Sequence, residues 1–102
     1  MPLAYLLHFL AGAILANGVP HFVHGISGEK FQSPFAHPPG KGLSSPLVNV
    51  LWGFGNLVAG TALLMAYAGP RGLIDFTAVG LGALAMGVAL AIHFGRVKGN
   101  QP

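Results

Sequence analysis

The stretch that decides the fold runs from Leu3 to Ile26 and reads LAYLLHFLAGAILANGVPHFVHGI. It contains no Asp, Glu, Lys or Arg, and two further uncharged apolar runs follow at 46–68 and 76–94. A helix needs roughly 20 apolar residues to cross a hydrocarbon core about 30 Å thick. Three such runs in 102 residues predict an all-α integral membrane bundle of three transmembrane helices, forming the single domain 1–102.

The composition also favours a membrane environment. Hydrophobic residues make up 53% of the chain and charged residues 7%, whereas soluble domains carry about 25% charged residues. The 16 glycines fit this environment, because small residues let helices in a membrane approach closely. We therefore expect the lipid bilayer to be the main partner. Nucleic acid is not expected to be one, because the 5 basic residues are scattered along the chain and form no basic patch.

The end of the first helix depends on Pro20. Asn17-Gly18 followed by a proline is a helix-stop pattern, but a helix that ended there would be only about 24 Å long. A helix over 3–26 is long enough to span, and it would be kinked near Pro20 because proline removes a backbone hydrogen bond. We favour the continuous, kinked helix, and the short helix is the alternative.

The remaining elements follow from prolines, glycines and apolar runs. Residues 27–45 predict a loop, and Phe31 and Phe35 make it too apolar for a free linker. We expect this loop to be ordered and folded back against the helix ends, with a partly disordered linker as the alternative. The second helix is predicted at 46–68 and the third at 72–95.

The basic residues predict the orientation of the chain. Lys30 and Lys41 lie in the first loop, Arg96 and Lys98 lie near the C-terminus, and only Arg71 lies on the other side. Because basic residues concentrate on the cytoplasmic side of a membrane protein, the first loop and the C-terminus are predicted to be cytoplasmic. The N-terminus is then outside.

Histidines near the cytoplasmic boundary form one candidate site. His21 follows Asn17 by four residues and His24 follows His21 by three, so a continuous helix carries all three on one face. His93 lies at the same depth near the end of the third helix. Neutral imidazoles bind zinc, copper or haem iron, so His21, His24 and His93 are candidates for a metal, haem or quinone site. The alternative is that they are interfacial histidines with backbone or head-group partners.

A second candidate is a polar seam centred on the second helix. Asn49, Asn56 and Tyr67 recur there at helical spacing, and Asn17 of the first helix is predicted to join them. Asparagine in hydrocarbon needs a hydrogen-bonding partner. The seam therefore predicts a helix interface, and the alternative is a polar path for a small ligand or ion in an oligomeric transporter.

Small residues on the third helix predict association. Ala83, Gly87 and Ala91 lie four residues apart, a spacing that lets two helices in a membrane pack closely. We therefore expect a homo-oligomer or a larger membrane complex, with exposure of these residues to lipid as the alternative.

Catalytic patterns are lacking in the sequence. Glu29 and Asp75 are the only acidic residues and lie near opposite ends of the predicted bundle. We find no carboxylate pair, no nucleophile with its base and no phosphate-binding loop. A non-enzymatic role is therefore favoured, and no particular cofactor is indicated.

Three short segments carry a resemblance. They are NGVPHFVHG at 17–25, FQSPFA at 31–36 and SSPLVNVLWG at 44–53. In these segments the chain resembles a group of small, uncharacterised bacterial membrane proteins with three spans and the pattern NGxPHFxxG / FxSPFA / SSPxxNxxWG. The resemblance implies a location in the bacterial inner membrane and no particular activity.

Three functions remain open at this point. The first is a non-catalytic oligomeric or accessory subunit of a membrane complex. The second is a histidine-based metal, haem or quinone site at the cytoplasmic boundary. The third is a small oligomeric transporter.

Overall fold

The computed structural model describes residues 2–66 and 69–99, and within them it shows three helices and an ordered loop. The elements are α1 (Pro2–Ile26), β1 (Phe31–Gln32), β2 (Leu43–Ser44), α2 (Pro46–Leu64) and α3 (Leu73–Val97). Each of the three helices is long and apolar enough to cross a membrane, judged by length and composition. The predicted all-α fold with an ordered loop is confirmed.

Helix α1 is the centre of the bundle. Both α2 and α3 pack along α1, whereas α2 and α3 have at most marginal contact with each other in the described part of the chain. The molecule measures 41 × 28 × 21 Å, with α1 as the common neighbour of α2 and α3. Its broad faces are left for lipid or for other helices.

Glycines allow α1 to approach both neighbours closely. A Cβ atom on Gly18 would lie 2.8 Å from the carbonyl oxygen of Gly53, and one on Gly53 would lie 2.5 Å from the backbone nitrogen of Phe22. On the other side of α1, Cβ atoms on Gly12 and Gly82 would overlap the backbone of the facing helix. Small residues at these positions therefore set the helix spacing, as is common in membranes.

Pro20 does not end α1. The helix continues through it to Ile26. Residues 21–26 therefore belong to α1, and His21 can contact Asn49 of α2. The helix stops at Gly28, which has a φ of 74° and whose N–H donates to the Gly25 carbonyl at 3.0 Å. Such a left-handed glycine is a common helix terminator. The kink near Pro20 stays a prediction.

Helix α2 begins as the sequence indicates and ends earlier. Ser45 caps it by accepting a 3.2 Å hydrogen bond from the Val48 N–H through its side-chain oxygen, and Pro46 occupies the first turn. The helix ends at Leu64, before the expected residue 68. The chain then turns at Gly69, which has a φ of 79°.

Helix α3 extends past its expected end at residue 95. Gly95 is tolerated inside the helix, which continues to Val97. The stop comes at Gly99, which has a φ of 86° and whose N–H donates to the Arg96 carbonyl at 3.2 Å. The glycine that ends the helix is therefore the one that adopts the left-handed conformation.

The loop folds back onto the helix ends. Strands β1 and β2 pair antiparallel and close it, with Phe31 opposite Ser44. Phe31, Gln32, Ser33 and Ala36 of the loop are buried. Its second half is held by the ring of His93, which donates from Nε2 to the Gly40 carbonyl at 2.7 Å. The loop thus covers one end of the bundle.

Candidate functional site

The side-chain amide of Asn49 joins three parts of the fold. Asn49 lies in the first turn of α2 and is fully buried. Its Nδ2 atom lies 3.1 Å from the carbonyl oxygens of Phe31 and Ser45 and 3.2 Å from that of Ser44. Its Oδ1 atom lies 2.9 Å from Nδ1 of His21 on α1. One amide therefore links α1, α2 and the loop.

The same amide sets the protonation of the His21 ring. Because Nδ2 of Asn49 faces carbonyl oxygens, its Oδ1 faces His21 and can only accept. Nδ1 of His21 therefore carries a proton and donates, and in the neutral ring Nε2 is the acceptor. Three aromatic rings make edge contacts with this buried imidazole: Phe31, Trp52 and Phe94, at centroid distances of 5.3, 6.4 and 6.3 Å.

The other two predicted histidines have separate partners. His24 donates from Nδ1 to Glu29 at 2.8 Å, and His93 binds the Gly40 carbonyl. Within residues 2–66 and 69–99, no three His, Cys, Asp or Glu side chains are close enough to hold a metal ion. The arrangement therefore does not bring His21, His24 and His93 together as a metal-ligand set.

The predicted polar seam is divided between two pairs. Asn17 donates to Oδ1 of Asn56 at 3.1 Å, and Asn56 donates to the Trp52 carbonyl at 2.9 Å. Asn49 belongs to the separate contact with His21, and Tyr67 lies outside the described residues. The buried amides of Asn49 and Asn56 thus hold the α1–α2 interface.

A pocket lies beside His21, between the loop and all three helices. Its volume is about 340 Å³, and we call it the boundary pocket. Its walls include Asn17, His21, Gln32, Trp52, His93 and Phe94. None of its described lining residues is charged, and His24 is not among them. Its volume lies near the lower limit for small-molecule sites, roughly 300 Å³.

Two polar atoms in the pocket walls are buried without a partner. Among the described residues, nothing hydrogen-bonds Oε1 of Gln32 or Nε1 of Trp52. Leaving such a group unpaired costs about 1–3 kcal/mol, and both atoms are shielded from the pocket as well as from solvent. Sequence reasoning missed Gln32, because a strand as short as β1 leaves no periodic signal.

A second polar cluster lies at the opposite end of the helices. His8 of α1 is almost fully buried, and its Nδ1 atom lies 3.3 Å from a carboxylate oxygen of Asp75 on α3. The other carboxylate oxygen accepts a 2.9 Å hydrogen bond from the Arg71 N–H. This cluster places the start of α3 against α1.

The comparisons with known proteins add no relative. The chain matches no protein-family model, no curated protein and no solved structure. The class of protein is therefore defined by the fold: a small chain whose three described helices can each cross a membrane. Any particular role has to be argued from the surfaces and pockets of this molecule.

We predict that His21→Ala destabilises the fold much more than His24→Ala. The first change leaves Oδ1 of the buried Asn49 amide unpaired and removes a buried ring, at a cost of about 2–4 kcal/mol. The second removes a solvent-exposed pair with Glu29, which is worth about 1 kcal/mol or less. Thermal unfolding in mild detergent measures both variants. Equal losses would contradict the central position assigned to His21.

Proposed function

We propose that this chain is a non-catalytic integral membrane protein that works as an oligomeric or accessory subunit of a membrane complex. The observation that carries the proposal is an unpartnered small-residue face on α3. A second copy of the same chain is the simplest partner for this face.

The helix glycines fall into two groups. Those at inner contacts meet a neighbouring helix so closely that a Cβ would collide: Gly12, Gly18, Gly25, Gly53, Gly60 and Gly82. The others have nothing within 4 Å of a Cβ position: Gly55 of α2 and Gly80, Gly87 and Gly95 of α3. Gly80 and Gly87 are seven residues apart and so share one face. Glycine within a helix costs roughly 0.5–1 kcal/mol of stability relative to alanine. Close contact with a helix of a second chain would explain why glycine occupies positions 80 and 87, just as close contact between helices of one chain explains the glycines of the first group.

The surroundings of Gly87 support the same reading. Gly87 lines an apolar groove of about 510 Å³ between α1 and α3, together with Ala16, Val19 and Leu90. Of the described α3 residues only Gly82 is buried. A groove with a glycine in its wall suits the side chains of another helix better than it suits a single flexible acyl chain, because helix packing depends on close approach.

We predict that Gly80→Leu and Gly87→Leu each disrupt the assembly. Native mass spectrometry from mild detergent should show the unmodified protein at a multiple of the 10.5 kDa chain or with a co-purifying subunit. Each variant should appear as a single chain, because the larger side chain blocks close helix contact. Thermal stability measured at matched concentration reports whether the monomer fold survives.

Gly55→Leu is the matched control, because Gly55 on α2 also has open space around it and lies outside the proposed interface. It should leave the assembly unchanged. Two results would contradict the proposal: an unmodified protein that is a stable single chain without a partner, or α3 variants that keep the mass of the original assembly.

We further infer a bacterial inner-membrane location with the loop and the end of α3 in the cytoplasm. The support is the charge distribution: Lys30, Lys41 and Lys98 lie at the end that the loop covers, and Arg71 at the other end. Basic residues favour the cytoplasmic side.

The absence of cysteine from the sequence makes this orientation directly testable. In intact spheroplasts, a membrane-impermeant maleimide should label Gly72→Cys and should label Ser27→Cys only after permeabilisation, since Ser27 follows α1 and Gly72 precedes α3, at opposite ends of the predicted spans. The opposite labelling pattern would reverse the orientation, and labelling of both from outside would contradict three spans.

A further inference from the structure

We propose that a pocket between the start of α1 and the start of α3 binds the phosphoethanolamine head group of a phospholipid and prefers it to phosphocholine. We call this cavity the Asp75 pocket. The inference is independent of the assembly proposed above. It rests on two opposite charges that line one pocket without pairing, on the accessibility of both charges, and on the position of the pocket at the ends of the helices.

The Asp75 pocket has walls of mixed character. Its volume is about 420 Å³, above the lower limit of roughly 300 Å³ for small-molecule sites. The described lining residues include one cation, Arg71, and one anion, Asp75. Beside them lie the rings of Tyr5 and His8 and the apolar side chain of Leu3. The pocket therefore combines both signs of charge with an apolar wall.

Both charged groups are accessible and are not paired with each other. Arg71 is exposed, and 18% of the Asp75 side chain is accessible. Arg71 contacts Asp75 through its backbone N–H, which donates to Oδ2 at 2.9 Å. Among the described residues, no carboxylate forms an ion pair with the Arg71 guanidinium. Glu29, the only other acidic residue in the sequence, follows α1 at the opposite end of the bundle.

The carboxylate of Asp75 keeps acceptor capacity for a ligand. Nδ1 of the buried His8 lies 3.3 Å from Oδ1, but this nitrogen makes no hydrogen bond among the described residues. The side chain of Asp75 is held by the backbone of the turn before α3, through the N–H of Arg71. Since a carboxylate has about four lone-pair sites, sites remain on its accessible side.

A zwitterion satisfies both charges at once. In phosphoethanolamine two carbon atoms separate the phosphate from the ammonium group. The phosphate can accept charge-assisted hydrogen bonds from the guanidinium of Arg71, and the ammonium can donate to the carboxylate of Asp75. A purely anionic head group would set a like charge against Asp75, and a simple cation would do the same against Arg71, which weakens binding.

Hydrogen bonding to Asp75 separates phosphoethanolamine from phosphocholine. A primary ammonium has three N–H donors, whereas the trimethylated ammonium of choline has none. Cages of aromatic rings bind such quaternary groups, and the described wall of this pocket contains one Phe, Tyr or Trp, namely Tyr5. Because Asp75 is partly exposed, we expect a preference of roughly 3- to 10-fold for the ethanolamine head group.

The position of the pocket favours a lipid as the source of this head group. The candidate spans of α1 and α3 begin at Leu3 and Leu73, and Arg71 comes just before the second of them. Lipid head groups lie immediately outside the hydrocarbon core, which is the level of these helix starts. Leu3 is half exposed and offers apolar surface to the glycerol and acyl part of a lipid.

Native mass spectrometry of the full-length protein in mild detergent measures the affinity for single added phospholipids. Phosphatidylethanolamine, phosphatidylcholine and phosphatidylglycerol with identical acyl chains are compared. We expect the ethanolamine lipid to bind roughly 3- to 10-fold more tightly than either of the others. Glycerophosphoethanolamine, which has the same head group and no acyl chains, distinguishes a lipid from a soluble zwitterion and should compete only at much higher concentration.

Two variants assign the charges to their parts of the head group. Asp75→Asn keeps the shape of the side chain and should abolish the preference, so that the ethanolamine lipid binds no better than the choline lipid. An unchanged affinity for the choline lipid reports that the pocket of this variant is intact. Arg71→Gln should weaken both lipids by a similar factor and keep the preference. Glu29→Gln and Arg96→Gln, which lie outside the pocket, are the matched controls and should change neither affinity.

Any of five results would overturn the proposal. On the unmodified protein these are equal affinities for the ethanolamine and choline lipids, tighter binding of phosphatidylglycerol, or competition by glycerophosphoethanolamine at the same concentration as the lipid. On the variants they are a preference that survives in Asp75→Asn, or unchanged lipid affinities in Arg71→Gln. The lipid comparison and Arg71→Gln keep the test decisive even if Asp75→Asn fails to fold.

Discussion

The buried amide of Asn49 meets three backbone carbonyls and the imidazole of His21 at the point where α1, α2 and the loop come together. In a low-dielectric environment each of these polar groups would be costly without its partner. The amide donates on one side and accepts on the other, so it serves a loop carbonyl and a helix side chain at once. The loop can cover the helix ends because its backbone finds this partner inside the bundle.

The contact also sets the state of the His21 ring. Since Asn49 holds the proton on Nδ1 of His21, the other nitrogen of the neutral ring is an acceptor. The residue that stabilises the fold thus also sets the protonation of a residue that lines the boundary pocket. Close packing of α1 on α2, which depends on Gly18 and Gly53, brings the two helices near enough for the amide to reach the ring.

The sequence was sufficient for the helices and insufficient for the pairings between them. Uncharged apolar runs predicted the three helices, and the phenylalanines of 27–45 predicted an ordered loop. The strands β1 and β2 are too short for an alternating pattern. The predicted equal depth of His21 and His93 in the membrane suggested a shared site. In the structure each ring has its own partner, 28 and 53 residues away along the chain, and such distant pairings cannot be seen in the sequence. The burial of Gln32 was missed because β1, with two residues, is too short to leave a periodic signal.

A double-mutant cycle between His21 and Asn49 tests the central claim most directly. Unfolding free energies of His21→Ala, Asn49→Ala and the double variant are measured in the same detergent. If the two side chains depend on each other as described, the double variant loses less than the sum of the single losses, with a coupling of about 1–3 kcal/mol. Losses that add to within about 0.5 kcal/mol would show that the two residues act independently and would contradict the account.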